Sequence, residues 1–215
     1  MSARANILAR IRTRQGKAVS PRNAERELVA QFIAAHPQSP RPYVDADLVA
    51  RFRDRALNLT TSVEDIASLR DLPAAVARYR AEKQLSDSAV CWPEFATLDW
   101  AAQGLQADVR PARDSDLIGI TGAFCAVAET GTLMMCSGKD TPAVNSLLPE
   151  THIAVVSRSR IVAGMEDAWD LLRRDIGSMP RAVNFISGPS RTADIEQTVT
   201  LGAHGPYRVH VLLIP

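Results

Sequence analysis

The 215-residue chain has few cysteines, few aromatic residues and no marked excess of either charge. Its 25 Lys and Arg residues almost balance 24 Asp and Glu residues, so the net charge of +1 creates no global field toward nucleic acid or a membrane. No apolar run approaches the roughly 18 residues of a membrane span, and no signal-peptide core is present. We therefore expect a cytoplasmic protein with neither a membrane span nor a nucleic-acid partner.

The cysteines Cys91, Cys125 and Cys136 are widely spaced, and none belongs to a Cys-x-x-Cys pair. This spacing argues against a disulfide framework and against a metal site built from cysteine alone. Cys125 and Cys136 lie in apolar, strand-like surroundings, where a free cysteine usually serves as a small hydrophobic residue. No His-x-His or His-x-x-x-His pattern occurs either. We therefore expect no metal and no iron–sulfur cluster in this chain.

Fingerprints of nucleotide-binding proteins and serine hydrolases are also missing. Neither GxGxxG nor GxxxxGK[ST] occurs, and there is no GxSxG motif. The hydrophobic content of 46% is ordinary for a globular protein of this length, which can bury a substantial core. Function must therefore be sought in less common motifs.

The first 22 residues carry six Lys and Arg residues and no Asp or Glu. Ile7, Leu8 and Ile11 share one helical face, which predicts a short amphipathic helix that stops near Gly16. Such a helix can dock on its own domain or a neighbouring subunit, or contact nucleic acid or a membrane; docking is the more common role. Three prolines in HPQSPRPY predict a linker. We expect a helical arm and linker over residues 1–43 and an α/β domain over residues 44–215.

Strands and helices alternate in the rest of the chain. Helical periodicity predicts a helix from Asp45, another over Leu72–Gln84 and a third that starts near Gly164. The apolar runs SAVCWP, THIAVVS, RAVNFIS and YRVHVLLIP predict strands, the last of them central or well covered. The segment TADIEQTVTLG predicts a further helix that ends at Gly202. This alternation favours an α/β fold with a mostly parallel sheet.

The tetrad ETGT interrupts the least charged part of the chain. The apolar runs IGITGAFCAVA and TLMMCS flank it, so two adjacent strands that meet at a polar tip fit best. Glu129 must be hydrogen-bonded, paired or exposed there, because an isolated buried charge is very costly. Thr130, Gly131 and Thr132 supply hydroxyls and a tight turn that could hold a carboxylate or a ligand oxygen. A hairpin tip whose glutamate caps local N–H groups would explain the same residues.

The stretch GPSRTADIE begins with a bend at Gly188, directly after RAVNFIS. Ser190 or Thr192 could cap the helix predicted next, and Asp194 would lie near the positive end of its dipole. Capping does not explain Arg191, because a cation at a helix start opposes the dipole. Two hydroxyls, backbone N–H groups and a guanidinium would form an anion site at this turn. Capping and ligand binding thus remain equal alternatives.

The segment GAHGP places His204 in a glycine-rich bend. A lone loop histidine is most often structural or merely exposed. Close to Glu129 or Asp194, however, it could transfer protons near neutral pH. Glu129 and His204 are therefore the catalytic candidates.

The segments GITGAFCAVAETGTL, LLPETHIAVV and ISGPSRTADIEQTVTLGAHGP together resemble the lactate-utilisation protein C family (LutC, YkgG), whose shared unit is the LUD domain. The resemblance is strong from Gly119 to Pro206, and the N-terminal ILARIR pattern is also similar. It implies a three-layer α/β/α fold with a mostly parallel sheet, similar to the NagB/RpiA/CoA-transferase-like group. It also implies a role in oxidising L-lactate to pyruvate beside iron–sulfur oxidoreductase partner proteins.

The resemblance leaves the chain's own chemical step open. One hypothesis is an accessory subunit without a cluster in an L-lactate dehydrogenase-type complex, which binds an anionic ligand or a partner through the three motifs. A second is an enzyme in its own right that uses Glu129 on an acyl, sugar-phosphate or CoA-type substrate, by analogy of fold. A third is a purely structural or regulatory subunit. The ligand-binding candidates are Thr130, Gly131, Thr132, Gly188, Ser190, Arg191, Thr192 and Asp194.

Overall fold

The computed structural model describes residues 2–17, 23–42, 47–193 and 200–215. Contacts between Cα atoms divide the chain into two units, Met1–Arg41 and Pro42–Pro215. Asp45, where a helix was expected to start, and the candidate site residue Asp194 lie outside the described residues. The expected boundary between residues 43 and 44 stays a prediction.

The first unit contains two helices, α1 (Ala3–Arg14) and α2 (Asn23–Ala35). The hydroxyl of Ser2 caps α1 by accepting a hydrogen bond from the backbone N–H of Ala5 at 3.3 Å. The apolar side chains of both helices are exposed; they are Ile7, Leu8, Ile11, Leu28, Val29, Phe32 and Ile33. The sequence predicted α1 but not α2. None of the helices that the structure describes is long and apolar enough to cross a membrane.

A six-stranded parallel sheet forms the centre of the second unit. Its strands are β1 (Ser62–Asp65), β2 (Ser88–Cys91), β3 (Gln106–Val109), β4 (Ile118–Gly122), β7 (Thr151–Ser157) and β12 (Arg208–Ile214). They lie in the order β1-β12-β7-β4-β2-β3, and every neighbouring pair is parallel. The buried run from Val209 to Leu213 fits the position of β12 between β1 and β7, which confirms the predicted central strand.

Over residues 47–193 and 200–215, the structure describes four α-helices: α3 (Leu48–Asn58), α4 (Leu72–Lys83), α5 (Val144–Leu147) and α6 (Met165–Asp175). The carboxylate of Asp47 caps α3 by accepting from Ala50 N at 2.9 Å, and Phe52 and Ala56 form its buried face. The predicted helices that became α3, α4 and α6 are confirmed.

A second, four-stranded sheet has the order β8-β5-β6-β9. Its strands are β5 (Cys125–Val127), β6 (Thr132–Cys136), β8 (Ile161–Val162) and β9 (Val183–Ile186). Side chains alternate between its faces, because Cys125 and Val127 cluster with α6 whereas Ala126 joins the core of the large sheet. The predicted strand pair around ETGT is confirmed as the antiparallel pair β5–β6. However, the run IGITGAFCAVA is divided between β4 and β5, in different sheets.

A short antiparallel pair, β10 (Arg191–Thr192) and β11 (Thr200–Leu201), follows β9. The helix predicted over TADIEQTVTLG is therefore wrong at both of its described ends, and residues 194–199 lie outside the described residues. Backbone bonds across the pair favour the strands, since Gly202 N donates to Ser190 O at 3.0 Å. The α/β class with a mostly parallel sheet and flanking helices is confirmed; the second sheet was not predicted.

Candidate functional site

Glu129 and Gly131 lie at the tip of the hairpin between β5 and β6. The backbone N–H of Glu129 donates to Ala163 O at 3.0 Å, and that of Gly131 donates to Val127 O at 2.9 Å. Gly131 has a φ of +68° and lies against the end of α3, where a Cβ would approach Ala56 N to 2.6 Å. Folding therefore accounts for the glycine without a ligand.

A chain of hydroxyls connects this tip to the segment after β9. Thr130 Oγ1 lies 2.7 Å from Thr132 Oγ1, which lies 2.6 Å from Ser187 Oγ. The next residue, Gly188, has a φ of +80° and also lies against the end of α3, where a Cβ would be 2.5 Å from Leu59 O. The ETGT and GPSRT motifs are thus brought together by shared hydroxyls and by a shared helix end.

Arg191 is exposed, and the structure gives it a neutral partner. Its Nη2 donates to Thr60 Oγ1 at 2.8 Å, and the Thr60 hydroxyl donates in turn to Leu59 O at 2.6 Å. Thr60 has a φ of +63°, which few β-branched residues adopt. The bond takes one of the five guanidinium donors of Arg191. An anion at Arg191 stays a prediction.

Ser190 connects the GPSRT segment to GAHGP. Its backbone N–H donates to Pro206 O at 2.9 Å, and its Oγ accepts from His204 N at 3.4 Å. Ser190 therefore forms hydrogen bonds with the loop that contains GAHGP. The sequence had instead suggested that Ser190 caps a helix. His204 is exposed and precedes β12, so this cluster lies at the amino-terminal end of the parallel sheet.

A cavity of about 670 Å³ opens at the opposite, carboxyl-terminal end of that sheet. Gly122, Ser157 and Ile214, which lie at the carboxyl ends of β4, β7 and β12, line it. The side chains of Glu129, Arg191 and His204 are not among its lining residues. This cavity is therefore separate from Glu129, Arg191 and His204.

The cavity lies where the strand order of the sheet reverses. The next strand of this sheet after β2 is β3, which lies toward one edge. The next strand of this sheet after β4 is β7, which lies on the other side. The connections of two adjacent strands thus leave in opposite directions, which opens a crevice at their carboxyl ends. Trp92, Glu94 and Phe95 follow β2, while Ala123 and Phe124 follow β4, and all five line the cavity. Open α/β sheets bind their ligands at this position.

Glu94 lies in the short turn Pro93–Phe95 directly after β2. The backbone N–H of Gly122 interacts with its carboxylate and lowers the pKa of Glu94, but desolvation by burial raises that pKa more. A Cβ on Gly122 would lie 2.3 Å from Glu94 Oε1. Only a glycine at the end of β4 therefore lets the carboxylate lie against the sheet, while Glu94 as a whole residue is exposed.

Arg160 is the cation of the cavity lining, and it already forms an ion pair within the protein. Its Nη1 donates to Asp175 Oδ2 at 2.5 Å, and its Nε donates to Phe124 O at 3.0 Å. The guanidinium also lies 4.6 Å from the centroid of the Phe124 ring. Glu94 therefore lies in a largely apolar cavity whose arginine already has a carboxylate partner.

The sequence profile of the LUD domain family matches residues 70–214, a range that includes the three motifs and every residue of the cavity lining except Leu69. The chain belongs to the LUD domain family. A lactate utilization protein C from Bacillus velezensis is 30% identical over 192 residues, which cover 78% of each chain. The predicted lactate-utilisation protein C family is confirmed by these matches.

Two further comparisons define the extent of the similarity. The lactate utilization protein C of Bacillus subtilis is 37% identical over 128 residues, 57% of this chain and 53% of that protein, so this chain spans about half the length of that relative. A crystal structure of a DUF162 family protein from Deinococcus radiodurans has a TM-score of 0.60 at 24% identity. It covers 81% of this chain and 100% of that chain, and it supports the fold of this LUD domain.

Sequence reasoning missed Glu94 and the cavity of the LUD domain. The run SAVCWP was correctly predicted as a strand, and an acid directly after the proline that stops it was an available signal. The switch point depends on β4 lying beside β2, a pairing between distant segments that no local pattern reveals. The site residues expected at the three motifs stay predictions.

The cysteines of the LUD domain are poor thiolate formers. Burial raises the pKa of Cys91 to about 11, of Cys125 to about 12 and of Cys136 to about 11. Within residues 2–17, 23–42, 47–193 and 200–215, no group of three or more His, Cys, Asp or Glu side chains is placed to hold a metal ion.

Proposed function

We propose that this LUD-domain chain is a component of an L-lactate utilisation system, which oxidises L-lactate to pyruvate. The observation that carries the proposal is the 30% identity to a lactate utilization protein C over 78% of both chains. The cavity at the switch point of the sheet supports a component that binds a small molecule.

In this proposal, iron–sulfur oxidoreductase partner proteins carry the electrons. Ligation of a cluster requires several thiolates close together. Cys91 ends β2, whereas Cys125 and Cys136 belong to the other sheet, and burial raises the pKa of all three thiols. The positions and the protonation of these cysteines support a chain without a cluster of its own.

The exposed surface around Arg191 and His204 is proposed to bind an anionic ligand or a partner. Among residues 2–17, 23–42, 47–193 and 200–215, the hydrogen-bond partner that the structure gives the Arg191 guanidinium is the neutral hydroxyl of Thr60, which an incoming carboxylate or phosphate could supplement. The alternative, an enzyme that uses Glu129 on an acyl, sugar-phosphate or CoA-type substrate, stays a prediction. Activity of a Glu129→Gln protein equal to that of the wild type in a reconstituted system would exclude it.

An in-frame deletion in the organism that carries the gene tests the proposal. We expect slow growth on L-lactate, normal growth on glucose, and recovery when the wild-type gene is supplied in trans. Normal growth of the deletion strain on both carbon sources would contradict the proposal.

Purification of the tagged chain tests whether the iron–sulfur clusters belong to the partner proteins and not to this chain. We expect iron–sulfur absorbance in the co-purified complex and a colourless protein when the chain is expressed alone. A cluster or flavin band from the chain alone would contradict this assignment.

A further inference from the structure

The cavity at the carboxyl ends of β2 and β4 has a chemistry that differs from the anion site expected at Arg191. We propose that it binds a neutral, largely apolar organic molecule of cofactor size, whose N–H or O–H group donates a hydrogen bond to Glu94. The inference concerns this cavity alone and does not depend on the role in lactate utilisation.

The volume of the cavity sets the size of its ligand. At about 670 Å³, it lies within the range of about 300–1,000 Å³ that is typical of sites for drug-sized molecules. L-Lactate, a three-carbon acid, would leave most of this volume unfilled. The cavity therefore fits a molecule several times larger than lactate.

The walls of the cavity make apolar contacts the main source of affinity. Phe95, Phe124 and Ile214 contribute carbon surface, and the indole N–H of Trp92 is turned to Pro142 O at 3.2 Å. Two hydroxyls of the lining also donate to the protein, Ser157 Oγ to Pro215 O at 2.8 Å and Thr141 Oγ1 to Cys136 O at 2.9 Å. Such a surface favours rings or chains without charge.

The charges of the cavity disfavour an anion. Arg160 is paired with Asp175 and hydrogen-bonded to Phe124 O, so the carboxylate of Asp175 largely neutralises its positive charge. A ligand carboxylate near the mouth would instead meet the Glu94 carboxylate, and like charges in a partly desolvated site repel. A neutral group avoids this repulsion.

Glu94 has acceptor capacity to spare. An ionised carboxylate offers about four lone-pair sites, and the neighbouring Gly122 N–H can take one of them at most. An N–H or O–H donor on the ligand would take another and would fix the orientation of the ligand at the switch point. Gly122 leaves room for this carboxylate, because a Cβ there would lie 2.3 Å from Oε1.

A pair of probes with the same shape and different charge tests this inference. We would titrate the full chain at pH 7.5 by calorimetry with 2-naphthaleneacetamide, a neutral donor, and with 2-naphthaleneacetate, its anionic counterpart. We expect the amide to bind about tenfold more tightly than the acid, which corresponds to about 1.4 kcal/mol. In Glu94→Gln, which keeps the shape and an acceptor, the acid should gain affinity until the difference is about threefold or less.

Two control variants complete the experiment. Glu82→Gln, an exposed charge change on α4, should leave the tenfold preference intact. Ala123→Phe, which fills the cavity, should abolish binding of both probes while the melting transition remains cooperative.

Three results would overturn the inference: the acid binding as well as the amide, a preference that Glu94→Gln leaves unchanged, or no binding of the amide at millimolar concentration. Amide binding that persists in Ala123→Phe would place the probe elsewhere and would also overturn it. None of these results would affect the growth phenotype of the deletion strain, so the two proposals fail independently.

Discussion

Gly131 brings the ETGT hairpin so close to α3 that a Cβ on it would lie 2.6 Å from Ala56 N. Gly131→Ala should therefore destabilise the protein by about 2–4 kcal/mol, since it adds a steric clash to the cost of a left-handed backbone. Urea unfolding at pH 7.5 measures the change.

Gly104→Ala is the matched control for this variant. Gly104 has a similar φ of +64° but nothing within 4 Å of its Cβ position, so only the backbone term of about 1–2 kcal/mol should appear. Equal losses in the two variants would show that the contact with α3 contributes nothing.

Asp116 anchors the loop before β4 through a bidentate pair with Arg110, with N–O distances of 2.6 and 2.8 Å. These bonds hold the pKa of Asp116 below its usual range. The stabilisation is therefore full above the unfolded-state pKa of about 3.9 and is lost as the pH falls through the lower folded-state value. Asp116→Asn should cost about 1–3 kcal/mol at pH 7 by urea unfolding, with a smaller difference from wild type at pH 3.

The exposed pair of Asp170 with Arg173 on α6 provides the comparison for Asp116. Asp170→Asn should cost less than about 0.5 kcal/mol, because exposed pairs contribute little. A loss in Asp116→Asn that stayed constant down to pH 2 would show that the charge of Asp116 is not its cause.

His152 is fully buried in β7, with Nε2 2.8 Å from Thr121 Oγ1. Burial lowers its pKa to about 4. The contribution of the neutral ring is therefore complete above about pH 6.5 and decreases as the pH falls from 6.5 to 4, by on the order of 3 kcal/mol. In chemical unfolding across this range, His152→Gln should lose less stability than the wild type.

The exposed His36 supplies a control outside the core of the second unit. His36→Gln should retain the pH dependence of the wild type. If His152→Gln retained it as well, burial of the His152 ring would not be the source of the acid sensitivity.

A change at Arg191 tests a role in function without a large effect on folding. It is exposed and bonded to Thr60, so Arg191→Ala should cost less than about 1 kcal/mol of stability. If it binds an anion or a partner, the same change should slow growth on L-lactate nearly as much as the deletion does. Arg173→Ala, another exposed arginine with a hydrogen-bonded partner, should grow normally. Normal growth of Arg191→Ala would remove Arg191 from the proposed site.

Local patterns predicted most of the large elements. The apolar spacing of Phe52 and Ala56 was enough for α3, and the buried run from Val209 to Leu213 was enough for a central β12. The helix α2 was not predicted, although Leu28, Val29, Phe32 and Ile33 recur at helical spacing. Apolar periodicity predicts a helix or strand when the pattern within that one element reflects which of its side chains are buried.

The candidate site was less predictable, because contacts between distant segments create it. The cavity exists because β2 pairs with β4, about thirty residues later in the chain, and because Glu94 then meets Gly122. Likewise, the partner of Arg191 is Thr60, which precedes it by 131 positions. The sequence indicated that ETGT, GPSRT and GAHGP belong together, but their packing against α3 and each other required the structure.

The most direct test asks whether L-lactate utilisation requires the cavity. The deletion strain would be complemented with Ala123→Phe, which fills the cavity, or with Ala101→Phe, an exposed control, and growth rates on L-lactate and glucose would be compared at equal levels of soluble protein. We predict that Ala123→Phe fails on L-lactate and grows normally on glucose, whereas Ala101→Phe grows on both. Growth of Ala123→Phe on L-lactate at the wild-type rate would contradict the account.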